Sequence, residues 1–391
     1  MGNDPEVVDR DLEALENEGQ EGEPSFFADP KRIAETLVVV LLLVAAIYVL
    51  LPRALDTQDA LAKLGDANAI WITVALAFNV LAFFSYVALF RGVVGEQVLH
   101  LEWRESYQIT MAGLAATRLF SAGGAGGIVL TYWALRKAGM PRRETARRMV
   151  AFLVLLYAVY MLALVLDGIL LRTGIFNGAN PAGLTIVPAA VAGVLIAVFL
   201  LLTLIPEDIE RRLTSFARGY RFVRHAQRLA SGPATLASGT RTAVSFVREP
   251  SRGGLAVLGA VGFWAANIGI LWAAFHAYGA HIPLGVVVQG FFVGMVANLF
   301  PFAPAGVGAV DAGMIGTFVL FGVPGGEVFA AVLTYRLIAF WLPIPPGIVA
   351  FLQLRKTVAR WEAQRAAAPV SPGIASSHPE AGPAITSESK V

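Results

Sequence analysis

The chain has 391 residues, of which 56% are hydrophobic and 15% charged, with a formal net charge of +2 and a mean hydropathy of +0.65. A soluble domain cannot bury that much apolar side chain, so the composition excludes an ordinary globular protein and points to an all-α integral membrane protein. With no cysteine, disulfides, thiolate nucleophiles, thiolate metal sites and iron–sulfur clusters are excluded as well.

Residues 1–31 are rich in Asp and Glu and lack the basic start and early apolar run of a signal peptide. They read as a disordered acidic tail, and residues 355–391, Ala/Pro/Ser-rich from about Ala366, are expected to be a second disordered tail. Between them, residues 32–354 form the membrane domain. Ile33–Leu51 is the first predicted span, since about 19 residues at about 1.5 Å each approach the ~30 Å of hydrocarbon. Trp71–Arg91 is the second. Tyr107–Phe120 and Ile128–Arg136 are apolar but short, and the glycine run Phe120–Gly127 separates them. Val150–Leu171 and Leu184–Ile205 span, and a basic loop, 206–253, follows. Leu255–Tyr278 spans again. Leu284–Phe300 stops at a Pro/Gly break, Val310–Phe321 follows it, and Val328–Leu352 is the last span, kinked or ended by Pro343, Pro345 and Pro346. The expectation is about six full spans plus two broken or re-entrant hairpins.

Lys and Arg set the expected orientation. Arg136 to Arg148, the nine arginines of 206–253, and Arg355 to Arg365 mark three basic regions, whereas the connections after Leu171 and after Tyr278 are poor in charge. The basic regions and both termini are therefore expected in the cytoplasm, at a cell membrane. The first hairpin then opens and closes on the inside and the second on the outside. Each break is followed by the same signature, Gly139-Met-Pro-Arg-Arg-Glu144 and Gly322-Val-Pro-Gly-Gly-Glu327. Two units, about 69–171 and 254–354, read as an inverted repeat with paired broken helices, which is how many alternating-access transporters are built.

The second break resembles a known family. Pro304-Ala-Gly-Val-Gly-Ala-Val-Asp-Ala-Gly313, Phe321-Gly-Val-Pro324, Leu333-Thr-Tyr-Arg-Leu337 and Pro346-Gly347 are similar to the motifs of the lysylphosphatidylglycerol synthase transmembrane-region family, the flippase-like domain. The resemblance covers roughly 33–354. It implies a fold with broken helices and a role in moving phospholipid between leaflets or in accompanying glycosyltransferases of lipid-linked glycan pathways. Two positions depart from the family pattern: Asp311 stands where Glu is usual, and Thr131 and Tyr132 stand where a basic residue often follows the first glycine run. The soluble aminoacyl-transferase domain that some relatives carry is not expected in this chain, nor is synthesis of lysyl-lipid by it alone.

An ionisable group inside hydrocarbon is a functional candidate. Asp311, just after the second break, and Arg336, in the last span, are expected to pair or to exchange partners with a lipid phosphate, a good match for a guanidinium. Arg118, before the first break, has two readings: snorkelling to the surface or lining the cavity. Gly123, Gly124, Gly126 and Gly127 at one break and Gly306 and Gly308 at the other leave amides free at half-helix N-termini, which attract anions; close helix packing is the competing reading. Asn298 near the break is a candidate substrate contact, whereas Asn79, Asn267 and Gln289 suit interhelical hydrogen bonds. Asp167 reads as a local surface pair with Arg172. In the basic loop, Arg211, Arg218, Arg221, Arg224 and Arg228 interleave with aromatics as an amphipathic helix on anionic inner-leaflet headgroups. Nucleic acid is not an expected partner. No catalytic constellation, cofactor motif or metal-spaced histidine set appears. The expected function is a membrane translocase for a phospholipid or lipid-linked headgroup. The alternatives are a small-solute secondary transporter and a non-transporting partner of a lipid or glycan transferase.

Overall fold

The computed structural model describes residues 63–95, 99–119, 125–203, 223–296 and 308–367. The predicted span Ile33–Leu51, residues 120–124 and 297–307 at the two breaks, and residues 206–222 of the arginine-rich loop lie outside them, and with these go Gly124, Asn298, Pro304 and Gly306.

The described residues are helical, with no strand among them. In chain order the helices are α1 (Ala69–Val94), α2 (Trp103–Leu119), α3 (Ala125–Lys137), α4 (Arg142–Arg172), α5 (Ala182–Thr203), α6 (Val223–Arg248), α7 (Pro250–Ala277), α8 (Leu284–Met295), α9 (Ala309–Leu320), α10 (Gly325–Arg336) and α11 (Ile344–Ala367). A π-turn, Leu337–Trp341, joins the last two. Helices α1, α4, α5 and α7, and the continuous run from Gly325 to Ala367, are long and apolar enough to cross a membrane. They correspond to five of the six expected spans; the sixth, Ile33–Leu51, lies outside the described residues.

Helices α2, α3, α8 and α9 have 17, 13, 12 and 12 residues. At about 1.5 Å per residue each falls short of the ~30 Å hydrocarbon core. They pair instead. Gly113 lies against Gly127 and Thr131, and Gly290 and Gly294 lie against Phe318 and Met314. The partners run antiparallel, so the chain reverses direction at each break.

The repeated signature builds the same corner twice. Gly139 and Gly322 adopt φ of 101° and 88°, a region that glycine enters without steric cost. The Gly139 N–H donates to Arg136 O and the Met140 N–H to Leu135 O, and the Gly322 N–H donates to Val319 O and the Val323 N–H to Phe318 O. These are Schellman closures of α3 and α9. Pro141 and Pro324 then sit at the N-caps of α4 and α10. An offset of 183 residues carries Lys137 onto Leu320, Arg142 onto Gly325 and Val94 onto Ala277, which are matching helix ends.

The helices matched by this offset face one another in opposite directions. The Asn68 N–H donates to Ala277 O at 2.9 Å, Gly269 lies against Phe78, Gly259 against Leu89, and Gly92 against Ala256. Thus α1 and α7 form a long antiparallel seam in which glycines let the backbones approach closely. Each hairpin rests on the last helix of the other unit. Thr357 donates to Gln108 Oε1 at 2.9 Å and the Trp361 indole to Glu105 Oε1 at 3.1 Å, fastening α2 to α11. The Tyr160 hydroxyl donates to Phe292 O and Gly285 packs on Leu171, fastening α8 to α4. Trp264, in the middle of α7, donates to Leu156 O at 2.8 Å and meets the rings of Tyr160, Phe291 and Phe292, which makes it the centre of the aromatic core.

Candidate functional site

Prolines decide where the last span bends. In a regular α-helix the N–H of residue 343 would bond to Ala339 O, but proline has none. The chain relaxes into the π-turn, in which the Leu342 N–H reaches back to Leu337 O at 2.9 Å, and the carbonyls of Ala339 and Phe340 need a donor from elsewhere. Arg118, at the end of α2, supplies it. Its Nη1 donates to Phe340 O and its Nη2 to Ala339 O, each at 3.0 Å. A guanidinium at the carbonyl end of a helix also opposes the helix dipole favourably. The Arg118 side chain thus crosses to the other unit and joins the bend.

Arg336 is the last residue of α10, about three turns from its start. Its Nε lies 2.6 Å from Asp311 Oδ1, and the two side chains are 6% and 2% exposed. At this distance and burial the two opposite charges neutralise each other as a tight ion pair. Asp311 is the third residue of α9, and its Oδ2 accepts from the Gly308 N–H at 3.0 Å, with Gly308 at φ 81°. This corrects one expectation. The Gly308 amide is not free for an outside anion, because the chain's own carboxylate folds back onto it. Asp311 therefore has two tasks, capping α9 and neutralising Arg336.

Phe340 links the cations: the Arg118 and Arg336 guanidinium carbons lie 5.3 and 4.5 Å from its ring centroid. Arg118, Asp311 and Arg336 thus gather at one bend and carry one surplus positive charge. Sequence reasoning missed Phe340 and the two orphaned carbonyls; the signal was present in Pro343, three and four residues beyond them. It also missed Tyr335, whose hydroxyl donates to Asn267 Oδ1 at 3.4 Å and ties the residue beside Arg336 to α7.

At the first break, Gly126 is the second residue of α3 and its neighbour Gly127 packs on Gly113 and Thr117, which is the close-packing use of a small residue. Asp167 departs from its expected surface pair. Arg172 donates to Asn180 O at 3.5 Å, while Asp167 is buried at 4% exposure. Gln289 makes the expected interhelical bond, to Leu184 O at 2.7 Å.

A family model described as the lysylphosphatidylglycerol synthase TM region matches residues 36–347, a stretch that includes Arg118, Asp311 and Arg336. A UPF0104 membrane protein of Methanothermobacter thermautotrophicus is 24% identical over 324 residues, covering 80% of this chain and 93% of the relative. Shorter alignments with UPF0104 membrane proteins of the same organism are 28% identical over 123 residues and 26% identical over 96 residues; there the chain spans 36% and 27% of the relative's length. With a match over most of its length, this multi-pass membrane protein belongs to the lysylphosphatidylglycerol synthase TM region family.

Proposed function

We propose that the protein is a flippase-like translocase of a cell membrane, moving a phospholipid or lipid-linked headgroup by exposing the region between its two hairpins first to one leaflet and then to the other. Its termini and basic loops lie in the cytoplasm, and the chain itself carries out no catalysis. The observation that carries this reading is the buried Asp311–Arg336 pair at a helix break, with Arg118 beside it.

A lipid phosphate offers negative charge and several acceptor oxygens, and it competes with Asp311 for the Arg336 guanidinium. When Arg336 turns to the phosphate, Asp311 keeps its place as the cap of α9 through Gly308. The freed hairpin, which rests on α4, then moves relative to the last span. The bound conformation and the paired one are the two ends of the cycle, and the described structure is the paired end.

The test is reconstitution in liposomes with fluorescently labelled phospholipids, scored for exchange between leaflets by a membrane-impermeant quencher. The wild type accelerates exchange. Arg336→Gln, inserted at normal levels, loses it: a hydrogen bond to a charged group contributes about 1.5–3 kcal/mol, or roughly ten- to hundredfold in headgroup affinity. Undiminished exchange by Arg336→Gln refutes the role given to the pair, and absence of exchange by the wild type with every lipid class refutes the translocase reading.

A further inference from the structure

A second buried acid takes no part in the ion pair. Asp167 lies on α4, and among the described residues neither of its carboxylate oxygens has a hydrogen-bond partner. Tyr160, Leu164, Asp167 and Leu171 form one buried stripe of α4 at helical spacing. That stripe faces α8, since Tyr160 bonds to Phe292 O and Leu171 meets Gly285. In this antiparallel register Gln289 stands at the level of Asp167.

The amide of Gln289 is oriented by a defect in α5. Pro188, inside that helix, cannot donate to Leu184 O, and Gln289 Nε2 donates to it instead at 2.7 Å. The amide oxygen is thereby turned away from Leu184, and it too is buried without a partner among the described residues. Gly168, the residue after Asp167, packs on the carbonyl of Thr185. Asp167 and Gln289 thus adjoin the same turn of α5 from two sides.

Three buried acceptor oxygens with no donor among them are costly, and an ionised carboxylate there is costlier still. A single proton resolves the arrangement, because a carboxylic acid can donate its O–H to the amide oxygen. A hard metal ion would require about six oxygen ligands, twice what these two side chains present. Helices α5 and α8 bring no titratable side chain to the site. On α4 itself the neighbouring polar groups are Tyr160, engaged with Phe292 O, and Arg172, engaged with Asn180 O. The other helices packed on α4 meet it away from Asp167: α6 with Arg241 and Arg248 where Gly239 meets Val150, α1 with Tyr86 and Arg91 where Tyr86 meets Phe152, α3 with Tyr132, Arg136 and Lys137 at the Gly139 corner leading into α4, and α7 in the middle of α4, where Trp264 meets Leu156; Arg252 stands near the start of α7, and His276, near its end, is engaged with Trp272 O and with the rings of Trp71, Trp272 and His281.

We propose that Asp167 and Gln289 form a proton-binding site, in which the carboxylate takes up a proton and donates the resulting O–H to Gln289 Oε1, and that release of this proton on the other side of the membrane drives translocation. Proton binding stands on its own geometry, whereas the coupling rests on the translocase reading above.

The full-length protein in liposomes is treated with a hydrophobic carbodiimide, which reacts with protonated carboxyls in apolar surroundings, and the modified residue is identified by peptide mass spectrometry across a pH series with and without sodium. Asp167 is modified, with a yield that falls as pH rises and does not change with sodium. No modification of Asp167 at any pH, or its protection by sodium, overturns the proton site. The coupling is read as the change in lipid exchange when a pH gradient is imposed. The wild type responds and Asp167→Asn, which keeps the shape but cannot exchange a proton, loses the response; an equal response in both overturns the coupling. A wild type that exchanges no lipid removes the translocase reading and the coupling with it, while the carbodiimide result still decides the proton site.

Discussion

The Asp311–Arg336 pair is best probed by a double-mutant cycle. Both side chains are almost closed to solvent, so removing one charge strands the other in a low-dielectric setting, at a cost of about 3–5 kcal/mol. Asp311→Asn still offers an amide oxygen to the Gly308 N–H and isolates the lost charge. Asp311→Ala removes the cap as well, which adds about 1 kcal/mol. Arg336→Gln strands the carboxylate and is expected to cost as much as Asp311→Asn. The double variant Asp311→Asn/Arg336→Gln leaves two neutral amides and no stranded charge, so it is expected to regain more than half of what either single variant loses. Reversible unfolding in mixed detergent micelles, followed by tryptophan fluorescence, measures all four corners. Additive single and double effects, or single variants costing below about 1 kcal/mol as surface pairs do, would refute the picture of a buried, mutually dependent pair.

Other consequences follow from the bend and the corners. Arg118→Met leaves the carbonyls of Ala339 and Phe340 without their donor and is expected to destabilise the fold by about 1–3 kcal/mol; Pro343→Ala, by restoring a backbone N–H near Ala339 O, lessens that loss in the same unfolding assay. Gly139→Ala and Gly322→Ala meet no atom within 4 Å, so each reports backbone strain alone, about 1–2 kcal/mol and similar at both corners. Because the chain has no cysteine, Ala138→Cys is a unique thiol. It is expected to react with a membrane-impermeant maleimide from the cytoplasmic side, and labelling confined to the outer side reverses the proposed orientation.

Length and hydropathy alone located the long helices, because a span needs an apolar run that few other structures require. Glycine and proline located the hairpins and the repeated corner, since Gly139 and Gly322 are needed for their backbone angles and Pro141 and Pro324 for starting the next helix. The pairing of Asp311 with Arg336 was legible as two charges that hydrocarbon would not tolerate singly. What the residues did not disclose was partner choice over long separation. Arg118 finds backbone carbonyls, which have no letter in the sequence, and Asp167 was assigned to the charge nearest in the chain although its helix face turns it towards α8. The Gly308 amide looked available because the fold-back of Asp311 depends on a single side-chain rotamer.

The bend in the last span has no counterpart in the first unit. Helix α4, its match by the 183-residue offset, runs as 31 unbroken residues, whereas Pro343 and the π-turn interrupt the stretch from Gly325 onwards. The arginine that heals the interruption is lent by the unbent half. Neither half is therefore self-sufficient. A tandem of two first halves would hold a guanidinium with no carbonyls to serve, and a tandem of two second halves would hold carbonyls that nothing serves. The two matched halves depend on one another, and splitting the protein into two separately expressed pieces should yield stable material when the pieces are made together and not when either is made alone.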